Sequence, residues 1–137
     1  MSSLQELAGN GFPFAVTIDA QGTAGTADEF TGVVVPFAGR ITRVEFIPKA
    51  AITANASNFF TFNIRNRGQV GTGTTVAATR AWSATNSVAF KGETFTVSGT
   101  RANVVVAAGD VLTIERTVTG TGLASPAGTV IIWIAAN

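Results

Sequence analysis

Residues 58–65 read Asn-Phe-Phe-Thr-Phe-Asn-Ile-Arg, and this stretch decides the fold class. In an extended chain Phe60, Phe62 and Ile64 project to one side and polar residues project to the other, which is the pattern of a strand with one buried face. Phe59 is the exception, an aromatic residue on the polar side. The stretch therefore predicts a β-strand at the edge of a hydrophobic core.

Two further segments alternate in the same way. In residues 40–48, Thr42, Val44 and Phe46 are expected on one face, with charged residues on the other. Residues 110–119 place leucine, isoleucine and valine on one face and threonine and glutamate on the opposite face. Together the three segments predict strands that each turn one face toward a common hydrophobic core.

Residues 30–37 and 129–135 are apolar on both faces. Such a strand lies either centrally under a covering layer or at a subunit interface. Because a two-layer sandwich leaves the outer face of each sheet in water, we favour the interface. The predicted interface residues in the second segment are Val130, Ile132, Trp133 and Ile134.

Glycine separates short segments rich in valine, isoleucine, threonine and phenylalanine along the whole chain, as expected for many strands joined by turns. Further strands are expected at residues 12–18, 74–82, 93–98 and 103–106, which brings the count to eight or nine. We therefore predict an all-β fold, first an eight-stranded jelly roll and second an immunoglobulin-like sandwich. The predicted organisation is an N-terminal arm at 1–11 and one sandwich domain at 12–137, with helical character limited to residues 3–8 and one possible turn within 48–56.

The composition argues against catalysis. The chain has no histidine, cysteine or tyrosine, so the usual general base, soft metal ligand, thiol nucleophile and phenolic acid are missing. Only 12% of the residues are charged, against about 25% in an average soluble domain. We expect no enzymatic activity, no cofactor, no metal and no small-molecule substrate.

The charge pattern also argues against nucleic acid. The formal net charge is +1, and the nine lysines and arginines are spread singly along the chain, whereas phosphate binding needs several cations on one surface. The longest apolar run near the C-terminus, residues 130–136, is too short to span a bilayer, which takes about 20 residues. The N-terminus carries no signal-peptide pattern, so we expect no membrane and synthesis in the cytoplasm.

Arg80 and Arg116 each fall on the apolar face of a predicted strand. A buried arginine needs a partner, so we expect both either at the subunit interface or paired with an acid such as Glu45 or Glu93. Gly109 and Asp110 form a turn between two apolar strands, in which glycine can adopt a positive φ and aspartate can bond to the turn's own N–H groups. We interpret this pair as structural.

The order of several turn motifs resembles that of the small jelly-roll decoration, or cement, proteins of tailed-phage heads. The motifs are residues 34–41 (Val-Val-Pro-Phe-Ala-Gly-Arg-Ile), residues 63–73 (Asn-Ile-Arg-Asn-Arg-Gly-Gln-Val-Gly-Thr-Gly), residues 107–112 (Ala-Ala-Gly-Asp-Val-Leu), and residues 120–122 followed by 126–128. The resemblance covers roughly residues 30 to 135.

This resemblance implies a homotrimer on the exterior of the capsid that binds the major capsid protein and stabilises the shell. The protein would then be made in the host cytoplasm and carried in the virion. The family supplies no catalytic residues. Its N-terminal arm often reaches a neighbouring subunit or the shell, which makes the start of the chain a candidate capsid contact. The residues in question are Ser2, Ser3, Leu4, Gln5 and Leu7.

Two other functions compete with this interpretation. A trimeric head-fibre or tail-fibre domain would bind a host glycan or receptor, and glycan sites usually expose an aromatic platform. Only Trp82, Trp133 and scattered phenylalanines are available for that role, and both tryptophans lie in predicted strands. An enzyme of cupin-like shape is the third possibility, but the histidine ligands that it needs are missing.

Overall fold

A computed structural model describes residues 11–137, and the predicted fold class is confirmed: the chain forms a sandwich of two antiparallel sheets. The strands are β1 (Phe12–Ile18), β2 (Asp28–Val34), β3 (Gly39–Pro48), β4 (Phe59–Asn66), β5 (Thr75–Ala81), β6 (Glu93–Thr94), β7 (Thr96–Val97), β8 (Val105–Val106), β9 (Val111–Thr119) and β10 (Gly128–Ala136). One short helix, α1 (Arg101–Val104), precedes β8.

The strand order is that of a jelly roll. The first sheet runs β1-β10-β3, with β6 and β8 both paired to the free edge of β3, and the second runs β2-β9-β4-β5-β7. If β6, β7 and β8 are counted as one interrupted strand, each sheet holds four strands drawn from both halves of the chain, as in a double Greek key. The interruption falls at Phe95, where the chain crosses from the first sheet to the second.

The core lies between the sheets and is centred on aromatic side chains. Trp82 stacks on Phe60 with ring centroids 4.6 Å apart, and Phe46 packs edge-on against Phe62 at 5.2 Å. These four side chains are fully buried, and the indole N–H of Trp82 donates to Ser87 Oγ at 2.7 Å. The alternation seen in residues 58–65 is thus the alternation between core and surface.

A β-bulge shifts the predicted alternation in β3. The register with β10 slips by one residue, so that Ile134 lies opposite Ile41 while Trp133 lies opposite Arg43. Ile41 is therefore buried beside Val44, and Thr42, which was expected on the core face, instead donates its hydroxyl to the carbonyl of Trp133 at 3.4 Å. An inserted residue of this kind cannot be read from alternation alone.

Two local predictions are wrong. Residues 48–56 contain no helical turn, because Ile52 forms an isolated bridge with Ser87 and the two residues exchange backbone hydrogen bonds of 3.0 and 2.9 Å. The strand predicted at residues 103–106 is half replaced by α1. There Ser98 Oγ accepts bonds from the Thr100 amide (3.2 Å) and from Asn103 Nδ2 (3.1 Å), which closes the chain into a turn.

The predicted arm falls almost entirely on residues 1–10, which lie outside the described part of the chain, and the same holds for the candidate contacts Ser2, Ser3, Leu4, Gln5 and Leu7. Gly11 is the first described residue. Within residues 11–137 no helix is long and apolar enough to cross a membrane.

Candidate functional site: the outer faces of the sandwich

The outer face of the first sheet carries an apolar stretch, centred on β1 and β10. Side chains opposite one another on paired strands point to the same side, and the register places Pro13 beside Trp133, Ala15 beside Ile131, and Thr129 beside Ile47. Because Val130 and Ile132 are buried in the core, Ile131 between them must point outward. We call the surface formed by Pro13, Ala15, Ile47, Ile131 and Trp133 the apolar face.

The predicted subunit interface on β10 needs correction. Val130, Ile132 and Ile134 are fully buried between the two sheets of a single copy, so these side chains have no surface to offer a second subunit. Trp133 is the member of the predicted set that lies on the outer face. Since β10 is apolar on both sides, its sequence could not show which side is the core and which is the outer surface.

Two charged residues of β3 lie on the same outer side and cover part of the apolar face, since the register sets Arg43 opposite Trp133 and Glu45 opposite Ile131. The Arg43 guanidinium lies over the Trp133 ring, 4.8 Å from its centroid, and pairs with Glu45. The guanidinium shields one side of the indole by a cation–π contact. The surface that remains is apolar and partly exposed, which suits contact with another protein better than binding of a small polar ligand.

The outer face of the second sheet is polar. On its edge strand β2 lies Glu29, whose carboxylate accepts hydrogen bonds from Arg67 Nε at 2.7 Å and from the Thr113 hydroxyl at 2.6 Å and forms an ion pair with the same arginine. The Arg67 guanidinium, helped by the Thr113 hydroxyl, holds the pKa of Glu29 below its ordinary value, although partial burial opposes the shift.

A second ion pair lies beside the first. Glu115, opposite Glu29 on the neighbouring strand, accepts bonds from Arg65 Nη2 at 2.8 Å and from Asn63 Nδ2 at 3.2 Å. We call the surface formed by Glu29, Asn63, Arg65, Thr113 and Glu115, with Arg67 at its rim, the polar face. Its charges are matched within one chain, so the surface leaves no net charge for a partner to neutralise.

Arg116 lies inside the subunit and does not reach an interface. It is fully buried, Nε donates to the Thr26 carbonyl at 3.0 Å, and Nη2 donates to the carbonyls of Ala24 (2.8 Å) and Leu123 (2.6 Å). Burial lowers the pKa of the guanidinium, and nearby Asp28 partly opposes that effect. In place of the carboxylate partner considered from the sequence, backbone carbonyls of two loops hold this charge.

Arg80 has the acid partner that was one of its two expected environments. Its Nη2 lies 3.6 Å from Glu93 and donates to the Thr85 carbonyl at 3.1 Å, while the guanidinium lies 4.7 Å from the Trp82 ring centroid. The side chain is only 14% exposed. It therefore serves to hold the loop after β5 against the sandwich.

The Gly109–Asp110 turn fastens the opposite end of the sandwich. Gly109 has a φ of 92°, and Asp110 Oδ2 accepts bonds from the Ala107 amide (2.9 Å) and from Asn66 Nδ2 (3.0 Å). Both of these hydrogen bonds come from groups of the same chain. Asp110 therefore has a structural role.

Two adjacent grooves open on either side of Thr17, at the end of the sandwich where β1 and β3 finish. One, of about 340 Å³, is largely apolar and is bordered by Ile47, Lys49 and Phe90. The other, of about 450 Å³, is polar and is bordered by three carboxylates and by Phe30. The carboxylates belong to Asp19, Asp28 and Glu29. Among residues 11–137 no group of three or more acidic, histidine or cysteine side chains is placed to hold a metal ion.

The chain matches no protein-family model, and no curated protein is significantly similar to it. The case for a function therefore rests on the surfaces. Sequence reasoning identified Trp133 but missed Pro13, Ala15 and Ile47, which become one surface only when β1, β10 and β3 are placed in register. The apolar residues at alternate positions 13 and 15 were the available signal, and it was weakened by the small size of Ala15 and by the polar Thr17 that follows.

Proposed function

We propose that this protein is a virion structural protein, a capsid decoration or cement protein that binds the outer surface of a phage head as a trimer and stabilises it. The observation that carries the proposal is the apolar face, an outer sheet surface with partly exposed aliphatic and aromatic side chains. The ordered turn motifs that resemble those of decoration proteins support the same function.

The physics of the apolar face favours a broad protein partner. Removing apolar surface from water contributes roughly 25 cal/mol per Å², so an apolar face gains affinity in proportion to the area that a partner covers. In a trimer the second and third attachments become intramolecular once the first has formed, which can raise avidity by about 10²–10⁴. Stabilising a shell requires this kind of persistent, distributed attachment.

The polar face suits the side exposed to solvent. Its ion pairs and hydrogen bonds are closed within the chain, so the surface is hydrated without demanding a partner. In the proposed orientation the apolar face and its margins meet protein, while the polar face meets water. The same division would limit non-specific association of free subunits.

The test mixes the purified protein with expanded capsids of the phage that encodes it, assembled without it. We expect saturable, stoichiometric binding and a higher melting temperature of the shell. Ala15→Arg and Ile131→Lys, which place a charge on the apolar face, are expected to weaken binding by at least about tenfold. Thr117→Lys is the matched control, because Thr117 is exposed on the outer side of the other sheet.

Thermal melting of each variant shows whether it remains folded, and Ala15→Arg guards against misfolding because Ala15 is already exposed on an edge strand. If the wild-type protein does not bind the capsids, or if Thr117→Lys abolishes binding while both apolar-face variants retain it, the proposal is wrong.

A fibre domain that binds a host glycan is the competing function, and a glycan array run in parallel tests it. Trp82 is fully buried and Trp133 lies under Arg43, so neither indole presents an open stacking platform. Strong binding to defined glycans without binding to capsids would favour the fibre domain.

A further inference from the structure

An apolar knob with a basic rim projects from the turn between residues 88 and 92. Phe90 is 75% exposed and has a φ of 63°, a left-handed conformation that phenylalanine rarely adopts. Its amide donates to the Pro48 carbonyl at 2.8 Å, which fixes the turn to the end of β3. A backbone outlier that holds a large aromatic side chain in water is a reason to look for what that side chain contacts.

Both lysines of the chain lie at this knob. Lys91 follows Phe90 directly, and Lys49 borders the apolar groove beside the Phe90 ring. Both are exposed, and neither forms an ion pair with a residue between 11 and 137. Val88, 59% exposed, extends the apolar tip. We call Lys49, Val88, Phe90 and Lys91 the Phe90 knob.

The polar groove on the other side of Thr17 has the complementary character. Asp19 and Asp28 are exposed on its rim, and neither pairs with a cation within the described residues. Glu29 is occupied by Arg67. Asp28 accepts hydrogen bonds from the Glu29 amide at 2.8 Å and from Gln21 Nε2 at 3.3 Å, so its charge, like that of Asp19, is not neutralised by an ion pair within the described residues. Phe30, partly buried, supplies an apolar part of the lining. We call this the acidic groove.

We infer that the Phe90 knob of one copy docks in the acidic groove of a second copy of this chain. The apolar tip can pack on Phe30, and the two lysines can pair with the two aspartates. One chain therefore carries two surfaces that are complementary in both hydrophobicity and charge. Complementary charge steers association and fixes the orientation of the partners. The inference concerns the contact between copies and does not require a capsid.

The two surfaces adjoin through Thr17, which lines both grooves. If the knob of each copy enters the groove of the next copy in a ring, each pair of neighbours shares one such contact. In a two-fold dimer the two copies share two reciprocal contacts. Light scattering gives the number of copies. A dimer would contradict the trimer of the proposed function but would agree with this contact between copies. The proposed function and this inference can therefore fail separately.

The experiment measures self-association of the full chain by analytical ultracentrifugation and light scattering. We expect the wild-type protein to self-associate with a Kd below about 100 μM. We expect this association to weaken progressively as the salt concentration is raised. Lys91→Glu and Asp28→Lys, each alone, are expected to weaken association at least about tenfold. The double variant Lys91→Glu with Asp28→Lys restores an opposite pair and should recover most of the lost affinity.

Phe90→Ala tests the apolar part of the contact and is expected to weaken association without reducing the melting temperature of the monomer. Arg101→Glu is the control, since this exposed charge on α1 belongs to neither surface. Wild-type protein that stays monomeric at about 100 μM overturns the inference. So does a double variant that remains as dissociated as the two single variants while all three keep the wild-type melting temperature.

Discussion

The two sheets of this sandwich differ most on the sides that face away from each other. The polar face joins Glu29 and Glu115 to arginines and to neutral hydrogen-bond donors within the same chain. The apolar face carries Ile131, Trp133 and Ile47, and the Arg43–Glu45 ion pair lies on the same side of the sheet. One fold therefore presents a surface whose ion pairs form within the chain and a surface whose apolar side chains are stabilised when a partner covers them.

This difference shows where function can be sought in a protein whose sequence has no histidine, cysteine or tyrosine. Salt bridges on a partly exposed surface contribute little net stability, about 0–1 kcal/mol each, but they keep a β-sheet surface hydrated and resistant to edge or face aggregation. On the other sheet one ion pair, Arg43–Glu45, protects only part of the apolar surface. A partner that covers the rest gains free energy in proportion to the apolar area removed from water.

The largest expected effect comes from Arg116, which extends the polar character of the second sheet into the core. Arg116→Met should lower the free energy of unfolding by about 3 kcal/mol or more, because the carbonyls of Thr26, Ala24 and Leu123 lose the donors that the buried guanidinium supplies. Denaturant unfolding measures the change. Arg101→Met, at an exposed position on α1, is the control; equal stability of the two variants would show that the buried charge adds nothing.

A smaller effect is expected on the polar face itself. Glu115→Ala removes the partner of Arg65 and Asn63, and with both ion-pair side chains only 18% exposed we expect a loss of about 1 kcal/mol after solvent screening. Thr117→Ala, two residues along the same strand and exposed, should change stability by less than about 0.5 kcal/mol. If Glu115→Ala is as mild as Thr117→Ala, the hydrogen-bond network is not a stabilising feature of this face.

The smallest effect concerns pH. Because the pKa of Glu29 is lowered in the folded state, the unfolded chain takes up a proton more readily, and stability is lost as pH falls below the ordinary value of 4.5 and through the native pKa. Glu29→Gln should therefore be less stable than wild type near neutral pH, by under about 1 kcal/mol for a partly exposed pair. Melting curves from pH 7 to pH 2 should converge at the acid end. A constant gap across the range would place the effect in packing rather than in ionisation.

Alternation was enough to predict the strands whose two sides differ chemically. Residues 58–65 are the clearest case, since Phe60, Phe62 and Ile64 are buried as expected. Residues 129–135 are the opposite case, because an apolar residue at every position does not tell the core side from the outer side. The predicted interface therefore combined three core residues with one surface residue. The slip between Ile41 and Arg43 in β3 was hidden for a related reason, because an inserted residue leaves no mark in the composition.

The partners of buried polar groups were harder still to predict from the sequence. Arg116 was identified as a buried charge that needs a partner, but the carbonyls that hold it come from loops about 90 residues earlier and seven residues later in the chain. Glu29 and Arg67 are 38 residues apart. Backbone carbonyls are present at every residue and have no sequence signature, so only the folded chain reveals which of them serve as acceptors.

By itself, the sequence determined that this protein is an all-β sandwich with few charges, since period-two alternation and glycine-rich turns are local properties of the chain. The tertiary structure alone decided which apolar side chains became core and which became surface, because that depends on the register between distant strands. It also brought Phe90, both lysines and the acidic groove to one end of the molecule. A surface is made of residues that the chain order keeps apart, and here the surfaces carry the proposed function.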